Sequence, residues 1–454
     1  MGELFGTDGI RGVANQYPMI PEMAVTIGKA VAAIFKGDHK PSKIVMGKDT
    51  RISGDMLEHA LVSGICSMGV DVYLTGILPT PGVAFITSST GANAGIVISA
   101  SHNPYYDNGI KIFKNNGYKL SDEEEDEIEQ LVFNKSMASS PKSVQHTGRV
   151  YNIEDAGCTY ANFLKCTVPE NHNFKDLKIV IDCSNGATFE VAPAIFTELG
   201  AKVRTLYNNP DGKNINDNCG SQHPENLKKS VVKNGADIGF AFDGDGDRLI
   251  AVDEKGAVAT GDQILAVCAK FMKQKGLLKG NRVVSTIMSN IGLGQALKEM
   301  GIKHLTAKVG DRYVMEKMVS SGAILGGEDS GHMIFLNYHT TGDGILAAIR
   351  LIEAMKDESK PISELFKIMT VFPQVLMNVD VMHKPDLKSV AGIADAIKSV
   401  ESVLGKKGRV VVRYSGTQPI CRVMVEGPTV NETRKYCKQI ADIVRDTLRE
   451  KGKI

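Results

Sequence analysis

Two short segments of this chain hold the residue types that could do chemistry. Gly95-Ile-Val-Ile-Ser-Ala-Ser101-His102-Asn-Pro104 is an apolar, β-branched run that ends abruptly in a polar loop, with Asn103-Pro104 marking the turn. Ser101 and His102 therefore sit at a strand end, where α/β folds place chemistry. Alone, such a pair reads as a strand-to-helix cap. The second segment, Phe242-Asp243-Gly-Asp245-Gly-Asp247-Arg248, changes that reading, because a nucleophile and a metal loop in one chain ask for a joint explanation.

Asp243, Asp245 and Asp247 alternate with glycines, which let the backbone curl until three carboxylates converge. Strand-like runs on both sides, Ile238-Gly-Phe-Ala-Phe and Leu249-Ile-Ala-Val, anchor the loop. Each pair of such anions at ~4 Å costs roughly 4 kcal/mol at an effective dielectric of about 20, so a loop that focuses them needs a divalent cation. An EF-hand is the competing metal reading, and Glu254 does fall at its twelfth position. Its sixth position is Arg248 where glycine is needed, and the flanks are strands. All-oxygen ligands select a hard cation, Mg²⁺ first.

Four further segments are site-like. Gly327-Glu328-Asp329-Ser330-Gly331-His332 is a polar loop after the apolar strand Ala323-Ile-Leu, with carboxylates and a hydroxyl that suit sugar hydroxyls. Arg413-Tyr-Ser415-Gly416-Thr417-Gln-Pro419, followed by Arg422, has the hydroxyls, loop N–H groups and guanidinium forks of a phosphate cradle. Gly6-Thr-Asp8-Gly-Ile-Arg11-Gly12 is a glycine-rich loop with one Arg. Asp107-Asn-Gly-Ile-Lys111 brings a Lys close after Ser101, either toward the site or as an exposed strand residue.

The elements that position these loops repeat. Residues 43–76, 177–207 and 281–310 each read strand, turn, helix, glycine, strand, with Gly69, Gly200 and Gly301 closing the helices. Such units favour a mostly parallel sheet with right-handed crossovers. Starting about 105–135 residues apart, they indicate three related α/β domains, not a solenoid. The C-terminal part instead reads strand (from Val375), helix (Lys388 to Leu404), two strands (from Arg409 and Ile420) and a charged amphipathic helix (Asn431 to Lys451), a smaller α+β domain. The expected boundaries are 1–150, 151–256, 257–368 and 369–454. The acidic run that follows Ser121 is expected to be a capped, solvated first helical turn.

The chain has 454 residues, 43% hydrophobic and 23% charged, with a formal net charge of +1. This is ordinary for a globular protein and points to neither nucleic acid nor an anionic membrane as a partner. No apolar run reaches the ~18 residues of a membrane span, and Met1-Gly-Glu-Leu-Phe-Gly lacks the basic and apolar regions of a signal peptide. The eight cysteines show no CxxC pair or zinc spacing, and Cys66 and Cys268 fall in apolar helical patterns. A reducing, cytoplasmic compartment is expected.

Taken together, Phe5-Gly-Thr-Asp-Gly-Ile-Arg-Gly12, Ile98-Ser-Ala-Ser-His-Asn-Pro104, Asp107-Asn-Gly-Ile-Lys111, Ala241-Phe-Asp-Gly-Asp-Gly-Asp-Arg248, Gly326-Gly-Glu-Asp-Ser-Gly-His332 and Arg413-Tyr-Ser-Gly-Thr-Gln-Pro419 resemble the α-D-phosphohexomutase superfamily. They match its motifs in order over nearly the whole chain, and most closely those of its bacterial phosphoglucosamine mutase branch. The resemblance implies three similar mixed-sheet α/β domains and a smaller C-terminal α+β domain around a central cleft.

It also implies roles. Ser101 would carry the exchangeable phosphate, and Asp243, Asp245 and Asp247 would hold one Mg²⁺ together with a phosphoserine oxygen. Lys111, Arg11 and His102 would surround the transferring phosphoryl group, with Lys111 and His332 moving protons. Arg248 would support the metal loop, Glu328 and Ser330 would grip sugar hydroxyls, and Arg413, Ser415, Gly416, Thr417 and Arg422 would hold the substrate's other phosphate. The implied reaction interconverts glucosamine 6-phosphate and glucosamine 1-phosphate through a bisphosphate, feeding UDP-N-acetylglucosamine synthesis in the cytoplasm. The implied partner is a sugar phosphate, with a homodimer by family analogy. Phosphomannomutase or phosphoglucomutase activity is the nearest rival. A phosphatase is disfavoured because a monoesterase needs only one phosphate site. Two departures stand out: Asp329 where this branch usually carries Gln, and Tyr414 and Gln418 where Pro and Glu are usual. If Asp329 faces C2 of the sugar, its carboxylate would pair with the substrate's ammonium.

Overall fold

The computed structural model describes residues 3–6, 8–37, 42–133, 147–169, 173–415 and 419–449. These divide into two compact units, Met1–Ile287 with Lys303–Lys367, and Met288–Ile302 with Ile368–Ile454.

The first unit contains three sheets, and each is built round the strand–helix–strand repeat read from the sequence. Lys43–Lys48 pairs in parallel with Asp71–Ile77, Lys178–Asp182 with Lys202–Leu206, and Arg282–Thr286 with Lys303–Ala307. The intervening helices Gly54–Ser67 and Val191–Glu198 belong to this unit, while that of the third repeat, Ile291–Glu299, falls in the second; Gly69, Gly200 and Gly301 follow their C-caps at φ +79°, +100° and +64°, values that favour glycine.

The repeat extends further than its helix and two strands. In each sheet a third strand lies parallel beside the first, and a fourth returns antiparallel to the third. The third and fourth strands are Ala94–Ile98 and Asp107–Lys114, Ile238–Phe242 and Leu249–Asp253, and Leu325–Gly327 and Met333–Phe335. The loops joining them carry Ser101, the three aspartates, and Glu328 to His332. The three site loops of this unit are thus one connection used three times. Ala94–Ile98 and Ile238–Phe242 are buried along their whole length, which is why they read as unbroken apolar runs. Five- and seven-stranded sheets result in two cases, because hairpin and edge strands such as Gly9–Val13 and Val258–Ala259 add to the common four.

Two expectations shift. The strand expected at Ala323-Ile-Leu runs Leu325–Gly327, because its pairing is set by the turn at Gly331, from Leu325↔Phe335 to Gly327↔Met333. The acidic helix Asp122–Phe133 is capped as expected, with the Glu124 N–H donating to Ser121 Oγ at 3.3 Å and the Ser121 N–H to Glu124 Oε2 at 2.7 Å. Its first turn is not solvated all round, however. Arg312 pairs with Asp122 and Glu125, and Glu125 is buried.

The second unit is an α+β layer. Gln374–Asp380, Ile420–Glu426 and Arg409–Tyr414 form an antiparallel sheet in that spatial order. Helices Ala391–Leu404 and Val430–Arg449 cover it through Ile393, Val400, Ile440 and Val444. Cys66 and Cys268 are buried as expected. Among the described residues no helix is long and apolar enough to cross a membrane.

Candidate active site

Ser101 lies three residues beyond the end of strand Ala94–Ile98, buried and at φ +52°. A non-glycine residue in this left-handed region stores roughly 1–3 kcal/mol and persists only where neighbours over-determine it. Here they do. The Ser101 N–H donates to Ser99 Oγ at 3.0 Å, and Ser99 Oγ donates to Asp49 Oδ2 at 2.5 Å. The Ser101 carbonyl accepts from Arg51 Nη2 at 3.0 Å and Asn216 Nδ2 at 2.9 Å. Arg51 also donates to the Asn103, Pro104 and Asp107 carbonyls, while Asp49 Oδ2 accepts from its Nε at 2.8 Å. One buried guanidinium thus holds the whole serine loop.

The side chain of Ser101 points at the aspartate hairpin. Its Oγ donates to Asp243 Oδ2 at 2.5 Å, and His102 Nδ1 lies 3.4 Å from Oγ. Burial, followed by Arg248 and Arg11, pushes His102 down to about 4, so its imidazole is neutral near pH 7. Gly244 is required by this approach: a Cβ there would lie 2.5 Å from the Ser101 carbonyl oxygen.

Asp243, Asp245 and Asp247 are all buried, and one oxygen from each lies within 4.8 Å of the others. Burial and then the like charges of Asp247 and Asp245 push Asp243 well above the ordinary carboxylate range. For Asp247 burial acts the same way but is outweighed, Lys111 and His332 first, and its pKa falls well below that range. Lys111, read from the sequence as either near the site or exposed, is buried. Its Nζ donates to Asp245 Oδ2 at 2.7 Å and to Asp247 Oδ2 at 3.3 Å. Thr80 Oγ1 also donates to Asp245 Oδ2, at 2.5 Å. Asp245 Oδ1 and Asp247 Oδ1 have no hydrogen-bond partner among the described residues.

The other loops of the first unit bring their residues to the same place. The Arg248 N–H donates to Asp243 Oδ1 at 3.1 Å, and its Nε lies 3.8 Å from Asp247 Oδ1. His332 Nδ1 is 3.6 Å from the same oxygen, and the backbones of Arg248 and His332 form an isolated bridge. Arg11 pairs with Asp8 and donates to the Ala100 carbonyl at 3.4 Å. Glu328, its pKa raised by burial, accepts from the Gly310 N–H at 3.2 Å. Ser330 Oγ has no partner among the described residues.

Asp329 is committed elsewhere. Its Oδ1 accepts from the Asp262 N–H at 3.3 Å and its carbonyl from the Gly261 N–H at 3.1 Å, both at the start of helix Gly261–Gln274. The sequence leaves open which way its carboxylate faces; here it faces a helix N-terminus, which attracts it.

Arg413 and Arg422 belong to the second unit, where they are direct cross-strand partners. Like charges placed so are destabilising unless an anion joins them. Neither Nε has a partner among the described residues, and burial, then Arg422, lowers the pKa of Arg413. Ser415 is buried beside them, and its carbonyl accepts from Lys384 Nζ at 2.9 Å. Gly416 and Thr417 lie outside the described residues.

The sequence reading missed Asp49, Arg51, Thr80, Asn216 and Lys384. Asp49 and Arg51 had one available signal: they follow the strand Lys43–Lys48 at its carboxyl end, the side on which open α/β sheets bind ligands.

Residues 2–139, 159–256, 260–372 and 376–443 match, in turn, domains I, II, III and the C-terminal domain of phosphoglucomutase/phosphomannomutase. A phosphoglucosamine mutase of Syntrophus aciditrophicus is 60% identical over 448 residues, covering 99% of this chain and 100% of that one. A phosphoglucomutase/phosphomannomutase family structure from Burkholderia thailandensis superposes with a TM-score of 0.80 at 23% identity, over 97% of each chain. The N-acetylphosphoglucosamine mutase of Aspergillus fumigatus, solved with GlcNAc-6P and magnesium, has a TM-score of 0.63 at 16% identity, over 98% of this chain and 96% of that one.

Proposed function

The chain belongs to the phosphoglucomutase/phosphomannomutase family, and we propose that it interconverts glucosamine 6-phosphate and glucosamine 1-phosphate through a phosphorylated Ser101 and a sugar bisphosphate. The observation that carries this reading is the 2.5 Å hydrogen bond from Ser101 Oγ to Asp243 Oδ2, inside a buried cluster of three carboxylates. Supporting it is the name of the 60% identical relative, which matches over its full length.

The donor set fits Mg²⁺. Three carboxylates offer hard oxygens, and two of those oxygens, Asp245 Oδ1 and Asp247 Oδ1, accept no hydrogen bond among the described residues. Esterification of Ser101 removes its hydroxyl proton, so Asp243 Oδ2 loses that donor and becomes free to ligate. Bound there with a phosphoserine oxygen, the ion would neutralise charge on the transferring group. A phosphoserine adds about −1.5 to −2 charge to three aspartates, and Lys111, Arg11 and Arg248 offset part of the remainder.

Phosphoryl transfer asks mainly for positioning and charge stabilisation. The sugar hydroxyl oxygen bonds to phosphorus as the bond from phosphorus to Ser101 Oγ breaks. The hydroxyl proton ends on Ser101 Oγ, carried by Lys111 and His332, with His102 beside the transferring phosphoryl group. The bisphosphate then turns, and the reverse step returns the other phosphoryl to Ser101. Glu328 and Ser330 serve the sugar hydroxyls. Arg413 and Arg422, with Ser415, Gly416 and Thr417, serve the phosphate that is not reacting, a second anion site that hydrolysis of a monoester does not require.

A coupled assay of the pure protein on glucosamine, glucose and mannose phosphates side by side tests the substrate. Glucosamine phosphate should have the highest kcat/KM, by about tenfold or more. A preference for glucose or mannose phosphate would place the chain in a different branch of the family.

A further inference from the structure

Six side chains around the aspartate hairpin form a closed ring in which basic and acidic groups alternate. Lys111 Nζ lies 3.3 Å from Asp247 Oδ2 and 3.2 Å from Asp8 Oδ2. Lys119 Nζ pairs with the other oxygen of Asp8 and with Asp311 Oδ2. Asp311 Oδ2 faces His332 Nε2 at 3.6 Å, and His332 Nδ1 faces Asp247 Oδ1 at 3.6 Å, which closes the ring. Asp247 therefore meets Lys111 on one oxygen and His332 on the other. The most exposed of the six side chains, Asp8, is only 21% accessible, so water screens these pairs weakly.

The ring joins distant segments. Asp8 lies in the turn between strands Phe5–Gly6 and Gly9–Val13, Lys119 just beyond strand Asp107–Lys114, and Asp311 at the first position of helix Asp311–Ser321. Two glycines aim it. Gly310, just before Asp311, has φ +126° and its N–H is held by Glu328. Gly342 lies close against the His332 imidazole, where a Cβ would come within 2.3 Å of Nε2. The ring of His332 is thus fixed between Gly342 and two carboxylates.

We propose that Lys119 and Asp311 are positioning residues for the transfer: they hold Asp8 and His332, and through them fix Lys111 and His332 on opposite sides of Asp247. The proposal rests on the Ser101 mutase reading above. Removing Lys119 leaves Asp8 and Asp311 as two facing carboxylates without their shared cation, and removing the charge of Asp311 releases His332 on one side. Because both residues act on the same closed path, their effects should not multiply.

The test is a double-mutant cycle on the whole enzyme, K119M, D311N and the pair, with K119R and D311E as conservative variants, and with thermal midpoints measured throughout. Each truncation should lower kcat by about 10- to 100-fold with KM changed less than about threefold, the double should lose little more than the worse single, and K119R and D311E should recover most of the rate. Turnover within about twofold of wild type in both truncations, losses that multiply in the double, or conservative variants as slow as the truncations would overturn the proposal. If K119M or D311N does not fold, K119Q and D311S replace them in the cycle and the same outcomes decide. Ser101→Ala in the same assay keeps the two claims apart. A dead Ser101→Ala beside fast K119M and D311N contradicts the ring alone, whereas an active Ser101→Ala contradicts the mutase reading beneath it.

Discussion

Arg51 Nη2 donates to the carbonyl of Ser101 at 3.0 Å, although the two residues lie on loops from different strands. With Asn216 on the same oxygen, this contact holds Ser101 at its positive φ and so aims Oγ at Asp243. Arg51→Lys keeps the charge but loses the fork. It should lower kcat by about 10²-fold, equivalent to roughly 3 kcal/mol, with a smaller effect on KM. Steady-state kinetics alongside thermal melts check this, and an unchanged kcat in a folded Arg51→Lys protein would show that the clamp does not position the nucleophile.

Phosphorylation should raise metal affinity. In the unmodified protein Asp243 Oδ2 accepts the Ser101 hydroxyl, and esterification removes that donor while adding phosphate oxygens. Calorimetric titration of Mg²⁺ into phosphorylated and dephosphorylated enzyme should show at least about tenfold tighter binding to the former, or roughly 1.4 kcal/mol. Equal affinities would separate the aspartates from the phosphoserine.

Asp329→Gln should barely alter substrate choice. Its carboxylate serves the start of helix Gly261–Gln274, so the substitution should cost about 0.3–1 kcal/mol of stability and leave the glucosamine-to-glucose ratio in kcat/KM within about threefold. A tenfold fall in that ratio would return Asp329 to the sugar site.

One buried carboxylate away from the site supplies a pH dependence. Asp343 caps helix Gly344–Glu358, accepting from the Leu346 N–H at 2.9 Å and from Tyr160 Oη at 2.8 Å, yet burial pushes its pKa up to about 6. A folded-state pKa above the unfolded value near 3.8 means that stability from this group is complete below pH ~4 and lost as pH rises through about 6, by up to roughly 3 kcal/mol. Relative to Asp343→Asn, the wild-type thermal midpoint should therefore fall between pH 4 and pH 7. A constant difference over that range would show that Asp343 ionises without cost.

The parts legible in the sequence were those with local signatures. The repeated strand–helix–strand units showed because period, glycine stop and apolar run all lie within about 35 residues. The aspartate hairpin showed because its strands flank it directly. Arg51, Asn216 and the Lys119–Asp311 pair did not, because each acts through a partner 50 or more residues away that only sheet order brings near. Lys111 stood open between two readings, since a strand position alternates faces and nothing local says which face is buried. The departure at Asp329 drew attention to substrate, whereas the neighbouring helix start explains the residue.

Peptide mapping by mass spectrometry of the active enzyme, combined with the turnover of Ser101→Ala, tests the central claim most directly. The account predicts phosphate on Ser101, its gain from a sugar bisphosphate and loss to a sugar monophosphate, and at least a ~10³-fold fall in kcat for Ser101→Ala, or roughly 4 kcal/mol. Phosphate found only on another residue, or near-normal turnover in Ser101→Ala, would contradict it.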